Sequence, residues 1–116
     1  MEAFKLAKKF IELREKAVEN AEKNIKKISE NAKKILKDAK VYVFGSYVKG
    51  NFKPYWSDID ILIVSDEVKN KTAGERVKIK RKIKEGINYS FIFQIHLVSY
   101  EEFEYYKKFI DVMKEV

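Results

Sequence analysis

Two carboxylates and a glycine–serine pair are the residues of this chain best suited to chemistry. The segment Phe44-Gly45-Ser46-Tyr47-Val48-Lys49-Gly50 is followed, after six residues, by Ser57-Asp58-Ile59-Asp60-Ile61-Leu62-Ile63. A strand that ends in Gly-Ser and turns into a short helix leaves backbone N–H groups and one hydroxyl pointing outward, which suits a phosphate. Gly45 lets the backbone approach such a ligand closely. Asp58 and Asp60, two apart on the strand expected here, project from one face with Cα atoms roughly 7 Å apart, close enough to share a hard divalent cation. Carboxylates this close repel each other. A bound cation removes that penalty, clamps the phosphates of a nucleotide and neutralises charge that develops in phosphoryl transfer.

The elements that must position these groups follow from local pattern. Residues 2–37 contain no Gly or Pro and are rich in Ala, Leu, Lys and Glu, which predicts one long helix or two nearly continuous ones. Alternate steps of three and four from Phe4 reach Ala7, Ile11, Arg14, Val18, Ala21, Ile25, Ile28, Ala32, Ile35 and Ala39, an apolar stripe broken only at Arg14. The stripe can cover the protein's own sheet or meet a partner. Val41-Tyr42-Val43-Phe44 reads as a buried strand ending at Gly45-Ser46, and Tyr47 to Tyr55 as a short helix or turn with a loop containing Pro54. A second, strongly apolar strand starts near Ser57. A surface helix over Lys69–Lys84, a third strand over Tyr89–Val98 and a closing helix over Tyr100–Lys114 complete the order. The expected architecture is α/β (α+β): a small mixed sheet of three to four strands packed with helices, with a long N-terminal helix.

Length and charge bound the rest. A chain of 116 residues with eight Phe, seven Tyr and one Trp can form one domain around one core, here 1–116, divided into an N-terminal helical region 1–39 and a catalytic-type core 40–116. No Cys is present, which excludes a disulfide scaffold, a thiolate metal site and a Cys nucleophile. No signal-peptide pattern and no membrane-spanning apolar run appear, so the expected location is cytoplasmic, away from the membrane. The net charge of +7 is concentrated in residues 1–40 and in residues 67–85, the latter with eight basic and three acidic groups. A basic surface attracts nucleotides or nucleic acid, but the basic residues of 69–84 do not all share one helical face, and a solvated helix is the simpler reading.

The Gly-Ser turn followed by an Asp-x-Asp strand resembles the signature of the DNA polymerase beta-like nucleotidyltransferase superfamily. With the motif so close behind one helical region, the chain is most similar to the minimal nucleotidyltransferases, many of which form toxin–antitoxin pairs with a HEPN-family protein. The resemblance covers roughly residues 30–116. It implies that Gly45 and Ser46 bind the triphosphate, that Asp58 and Asp60 hold Mg²⁺ or Mn²⁺, that Gly50 matches the glycine following the turn, and that Lys49 and Ser57 lie at the nucleotide site. Lys49 can contact phosphate or point to solvent. Ser57 can cap the turn or support the metal site.

One departure concerns the third strand. Active members carry a third carboxylate there, whereas this strand reads Ile92-Phe93-Gln94-Ile95-His96-Leu97-Val98. By alternation Gln94, His96 and Val98 share a face, making His96 the positional replacement and a candidate general base. The resemblance therefore implies transfer of a nucleotide monophosphate from ATP or another nucleoside triphosphate to a hydroxyl of a protein or RNA, with a HEPN-type partner as one acceptor and this chain as the antitoxin. The alternatives are a degenerate binding module that acts on a partner without turnover, and a nucleic-acid-binding protein. A homo-oligomer through the N-terminal helix is a further expectation.

Overall fold

The computed structural model of the protein describes residues 1–116. The predicted helical region is two helices, α1 (Glu2–Glu19) and α2 (Ala21–Ile35), separated at Asn20. There the side-chain amide donates to the Lys16 carbonyl, the kind of local bond by which Asn competes with helical hydrogen bonding. β1 (Lys40–Phe44) runs into the single-turn α3 (Ser46–Lys49), and β2 (Ile59–Val64) follows the Pro54 loop. Next come α4 (Ala73–Ile83), β3 (Phe93–Val98), α5 (Tyr100–Lys107) and β4 (Met113–Glu115). α4 and α5 begin at capping boxes, Thr72 with Glu75 and Ser99 with Glu102, each satisfying two amide groups reciprocally.

Three boundaries differ from expectation. Asp58 precedes β2 instead of lying within it. The third strand begins at Phe93, because Tyr89 takes a left-handed backbone (φ +58°) and residues Ser90–Ile92 form a single 3-10 turn. The closing helix stops at Lys107, and Met113–Glu115 instead pairs antiparallel with β1, whose outer edge would otherwise be unpaired.

The sheet order is β3-β2-β1-β4. β2 pairs antiparallel with β1 and parallel with β3, so the sheet is mixed. One face packs Val41, Val43, Ile61, Ile63, Ile95 and Leu97 against Ala17, Ala21, Ile25, Ile28 and Ala32, with Ile83 of α4 closing the layer. The opposite face packs Leu62, Val64 and Val98 against Phe103 of α5. Sequence periodicity thus locates the core face of α2, where small alanines permit close approach. The N-terminal part of the same stripe on α1 leaves the body, Phe4 being 69% and Ile11 43% exposed, whereas Arg14 and Val18 turn inward. No helix is long and apolar enough to cross a membrane.

Candidate functional site

The site forms where β1 ends and β2 begins. Gly45 adopts φ +79° and ψ −155°, a backbone conformation essentially confined to glycine. A Cβ atom at Gly45 would lie 2.5 Å from Oδ2 of Asp60, so the turn is packed directly onto that carboxylate. Ser46 opens α3, whose first amide groups have no partner inside the helix. Gly50, at φ +86°, closes α3 by donating its N–H to the Ser46 carbonyl. Here it terminates the helix that carries Ser46 and Lys49.

Asp60 is the one acidic residue in an otherwise apolar strand, opposite Phe44 on one side and Gln94 on the other. Its Oδ1 lies 3.4 Å from Nε2 of His96, a long contact for a hydrogen bond. The His96 ring sits between Phe44 and Tyr106, with centroid separations of 5.2 and 5.9 Å. His96 therefore comes to the carboxylate as alternation predicts, although its backbone register partner is Leu62. Beside it opens a cleft of about 420 Å³ lined by Phe44, Gly45, Lys49, His96, Tyr106 and Phe109, within the size range of small-molecule sites. Lys49 lines this cleft and pairs with Asp111 at 3.0 Å.

Asp58 is more open, with its side chain 55% exposed. Its loop is held by a residue noted in the sequence only as a break in the apolar stripe. Arg14 on α1 is 4% exposed, donates to the carbonyls of Pro54 and Ser57, and stands 3.9 Å from the Asp58 carboxylate. Ser57 also accepts the Lys53 amide N–H on its hydroxyl and donates its own N–H to the Lys53 carbonyl, so all of its polar groups serve the loop. On the far side, Lys84 donates to the Phe93 carbonyl at 2.6 Å. Burial lowers its pKa from the usual lysine value, and the charge of Asp58 opposes that shift.

By their chemistry, Asp58 and Asp60 are the residues that could hold a divalent cation. Asp58 and Asp60 are hard oxygen ligands, and the bare Gly45 backbone leaves the space over Asp60 that a side chain would fill. No cluster of three acidic or histidine ligands exists. Two carboxylates completed by water and substrate phosphates suit Mg²⁺, which seldom occupies an all-protein cage.

Residues 25–115 match the family described as the nucleotidyltransferase domain. The crystal structure of a protein described as a candidate nucleotidyltransferase is 32% identical, with 78% of this chain and 95% of that one covered and a TM-score of 0.63. A second such protein, from Sulfolobus solfataricus, is 21% identical over 91% of this chain and 84% of that one, with a TM-score of 0.59; at that identity the likeness is one of fold. No match was found among curated proteins. Arg14 lies outside the matched span.

Proposed function

The chain belongs to the nucleotidyltransferase domain family, and from that premise we propose that it binds a nucleoside triphosphate, ATP in the first instance, and transfers its nucleotide monophosphate to a hydroxyl acceptor. The observation that supports this reading is the contact between the Gly45 turn and Asp60, a bare backbone turn packed against a carboxylate. Mg²⁺ or Mn²⁺, held by Asp58 and Asp60, would neutralise charge on the triphosphate and on the departing pyrophosphate.

The chain's own residues supply positioning. The Ser46 hydroxyl and the turn amides hold phosphate oxygens, Lys49 offers a cation at the cleft wall, and Phe44, Tyr106 and Phe109 provide apolar surface for a base. The acceptor oxygen bonds to the α-phosphorus as the bond from that phosphorus to the bridging oxygen breaks. Pyrophosphate leaves with the electron pair, and the acceptor proton passes to His96 Nε2. A HEPN-type protein is one acceptor the proposal includes, supported by the exposed Phe4, Leu6 and Phe10 on α1.

A second reading, binding without turnover, is favoured by one observation: the face of β3 beside Asp60 carries Gln94 and His96 and no acid. Calorimetric titration with ATP in Mg²⁺ and then Mn²⁺, beside an Asp58→Ala/Asp60→Ala variant, tests the site. Metal-dependent binding lost in the variant is expected, and its absence from the wild type removes the nucleotide reading. Incorporation of labelled AMP into an acceptor then separates transfer from binding alone.

A further inference from the structure

We propose that α1 pairs antiparallel with α1 of a second copy of this chain, and that the first turns of each helix lie against the Pro54–Asp58 loop of the other. The proposal is independent of the nucleotidyltransferase reading. Of the occupants that this face admits, a second copy is the one its charges select.

Every residue from Met1 to Leu13 is exposed, so the N-terminal part of α1 stands clear of the body, which the helix joins at Arg14, Ala17 and Val18. The molecule is elongated as a result, 50 × 28 × 23 Å, with a radius of gyration of 15.2 Å against about 13.4 Å for a compact chain of this length. The free turns are far from polar. Beside the stripe that starts at Phe4, α1 carries a second one through Leu6, Phe10 and Leu13, and the two together make half of its circumference apolar. Phe4, Leu6 and Phe10 are 69%, 67% and 55% exposed. A contiguous apolar surface of this kind marks an interaction site.

The charges of α1 say what covers it. Lys5, Lys8 and Lys9 load its first half and Glu12, Glu15 and Glu19 its second, with Glu2 and Lys16 as the exceptions. That order opposes the helix macrodipole, which favours acids at the start and bases at the end. It also sets like charges four apart, in Lys5–Lys9 and Glu15–Glu19, which destabilises a lone helix. The body offers no compensation, since none of the three lysines forms an ion pair with it. A second α1 running antiparallel does. Lys5, Lys8, Glu12 and Glu15 share one flank of the helix, and pairing about Phe10 brings Lys5 and Lys8 to Glu15 and Glu12 of the second copy. The pattern is its own complement, as a two-fold interface requires. A parallel pair would set lysine against lysine, and a partner of another sequence would not call for a charge order that mirrors itself.

The same register carries Phe4 and Leu6 of the second copy to Lys16 and Arg14, where the apolar surface continues into the loop. Arg14 donates to the Pro54 and Ser57 carbonyls, and the Glu15 carboxylate lies 3.4 Å from the Tyr55 hydroxyl. Trp56, 74% exposed and two residues before Asp58, is uncovered in the single chain. Pairing therefore holds the loop that carries Asp58 from a second side.

The test is sedimentation equilibrium over a dilution series, with the emission of Trp56, the single Trp of the chain, read in parallel. The wild type is expected to reach twice the chain mass of 13.8 kDa and its emission to shift to the red as the dimer dissociates. Lys5→Glu/Lys8→Glu removes cations that the body does not use and places acids where the macrodipole favours them, so circular dichroism should show it folded. Its dimer should be weaker by about tenfold or more, four rim ion pairs having changed sign. Glu12→Lys/Glu15→Lys should behave alike, and an equimolar mixture of the two variants should regain wild-type dimerisation. Phe4→Ser/Phe10→Ser should stay monomeric. A wild type that is monomeric at every concentration overturns the proposal and leaves the face to a different protein. A dimer indifferent to the charge variants, or one whose dissociation leaves the Trp56 emission unchanged, overturns the antiparallel pairing.

Discussion

Gly45→Ala is the substitution for which the site makes its sharpest prediction. Two separable costs arise. At φ +79° and ψ −155° an alanine is held in a backbone region that L-residues avoid, costing about 1–3 kcal/mol. The added Cβ would also stand 2.5 Å from Oδ2 and 3.4 Å from Cγ of Asp60, and overpacking of this kind costs about 1–3 kcal/mol more. The sum is about 2–6 kcal/mol, measurable by urea unfolding with linear extrapolation. A double-mutant cycle with Asp60→Ala isolates the second cost. Only the Asp60 Cβ would then face the new methyl group, at an ordinary 3.6 Å, so the double variant should be more stable than the separate losses sum to, by about 1–3 kcal/mol. Because the carboxylate must move to admit the methyl group, Gly45→Ala alone should also weaken metal-dependent ATP binding at least tenfold. A cost for Gly45→Ala that is the same with and without the Asp60 carboxylate would refute the packing of the turn on that carboxylate, and with it the observation on which the proposed function rests.

Two further predictions concern the groups that support the site. Arg14→Met, which keeps the buried aliphatic volume and strips the guanidinium, should cost about 2–4 kcal/mol, since charged hydrogen bonds contribute about 1.5–3 kcal/mol each and water can reach part of the loop; Lys16→Met on the exposed side should change stability by less than about 0.5 kcal/mol. Equal effects of the two in urea unfolding would show that Arg14 does not anchor the Pro54–Asp58 loop. Burial alone would raise the pKa of Glu102, but hydrogen bonds from Ser99 and Arg76 hold it below the ordinary value of 4.5, so the folded state binds its proton less readily than the unfolded chain. Its contribution is complete above that value and lost as the pH falls below it. Between pH 6 and about pH 3 the urea midpoint of the wild type should therefore fall more steeply than that of Glu102→Gln, and parallel curves would contradict the assignment.

What the sequence discloses and what it hides divide along physical lines. β1 and β2 are legible because both are short apolar runs rich in β-branched residues, and the Gly45-Ser46 and Asp58-Asp60 pairs are legible because their side-chain chemistry is rare at that spacing. His96 follows from alternation on β3, and the structure does bring it to Asp60. β4 is hidden, because Met113-Lys114-Glu115 carries no apolar run; it becomes a strand through the free edge of β1. The 3-10 turn before β3 is equally local in cause, arising from the left-handed backbone at Tyr89 rather than from the apolar residues that suggested a strand.

Arg14 shows why the supports of a site are harder to read than its reactive groups. A single cation in an apolar helical stripe signals that something polar lies opposite, but a snorkelling surface side chain gives the same pattern. Its partners are the carbonyls of Pro54 and Ser57, 40 and 43 residues away, and every residue type has a backbone carbonyl. The acceptors therefore leave no trace in the sequence. The same reasoning applies to Lys84, whose anchor is the Phe93 carbonyl. The loop carrying Asp58 is thus held from α1, and the start of β3 from the end of α4, by side chain-to-backbone bonds, and α1 lies outside the span that matches the family. A chain cut at residue 25 would retain every group proposed to touch nucleotide while losing Arg14, the residue that fixes the loop carrying Asp58.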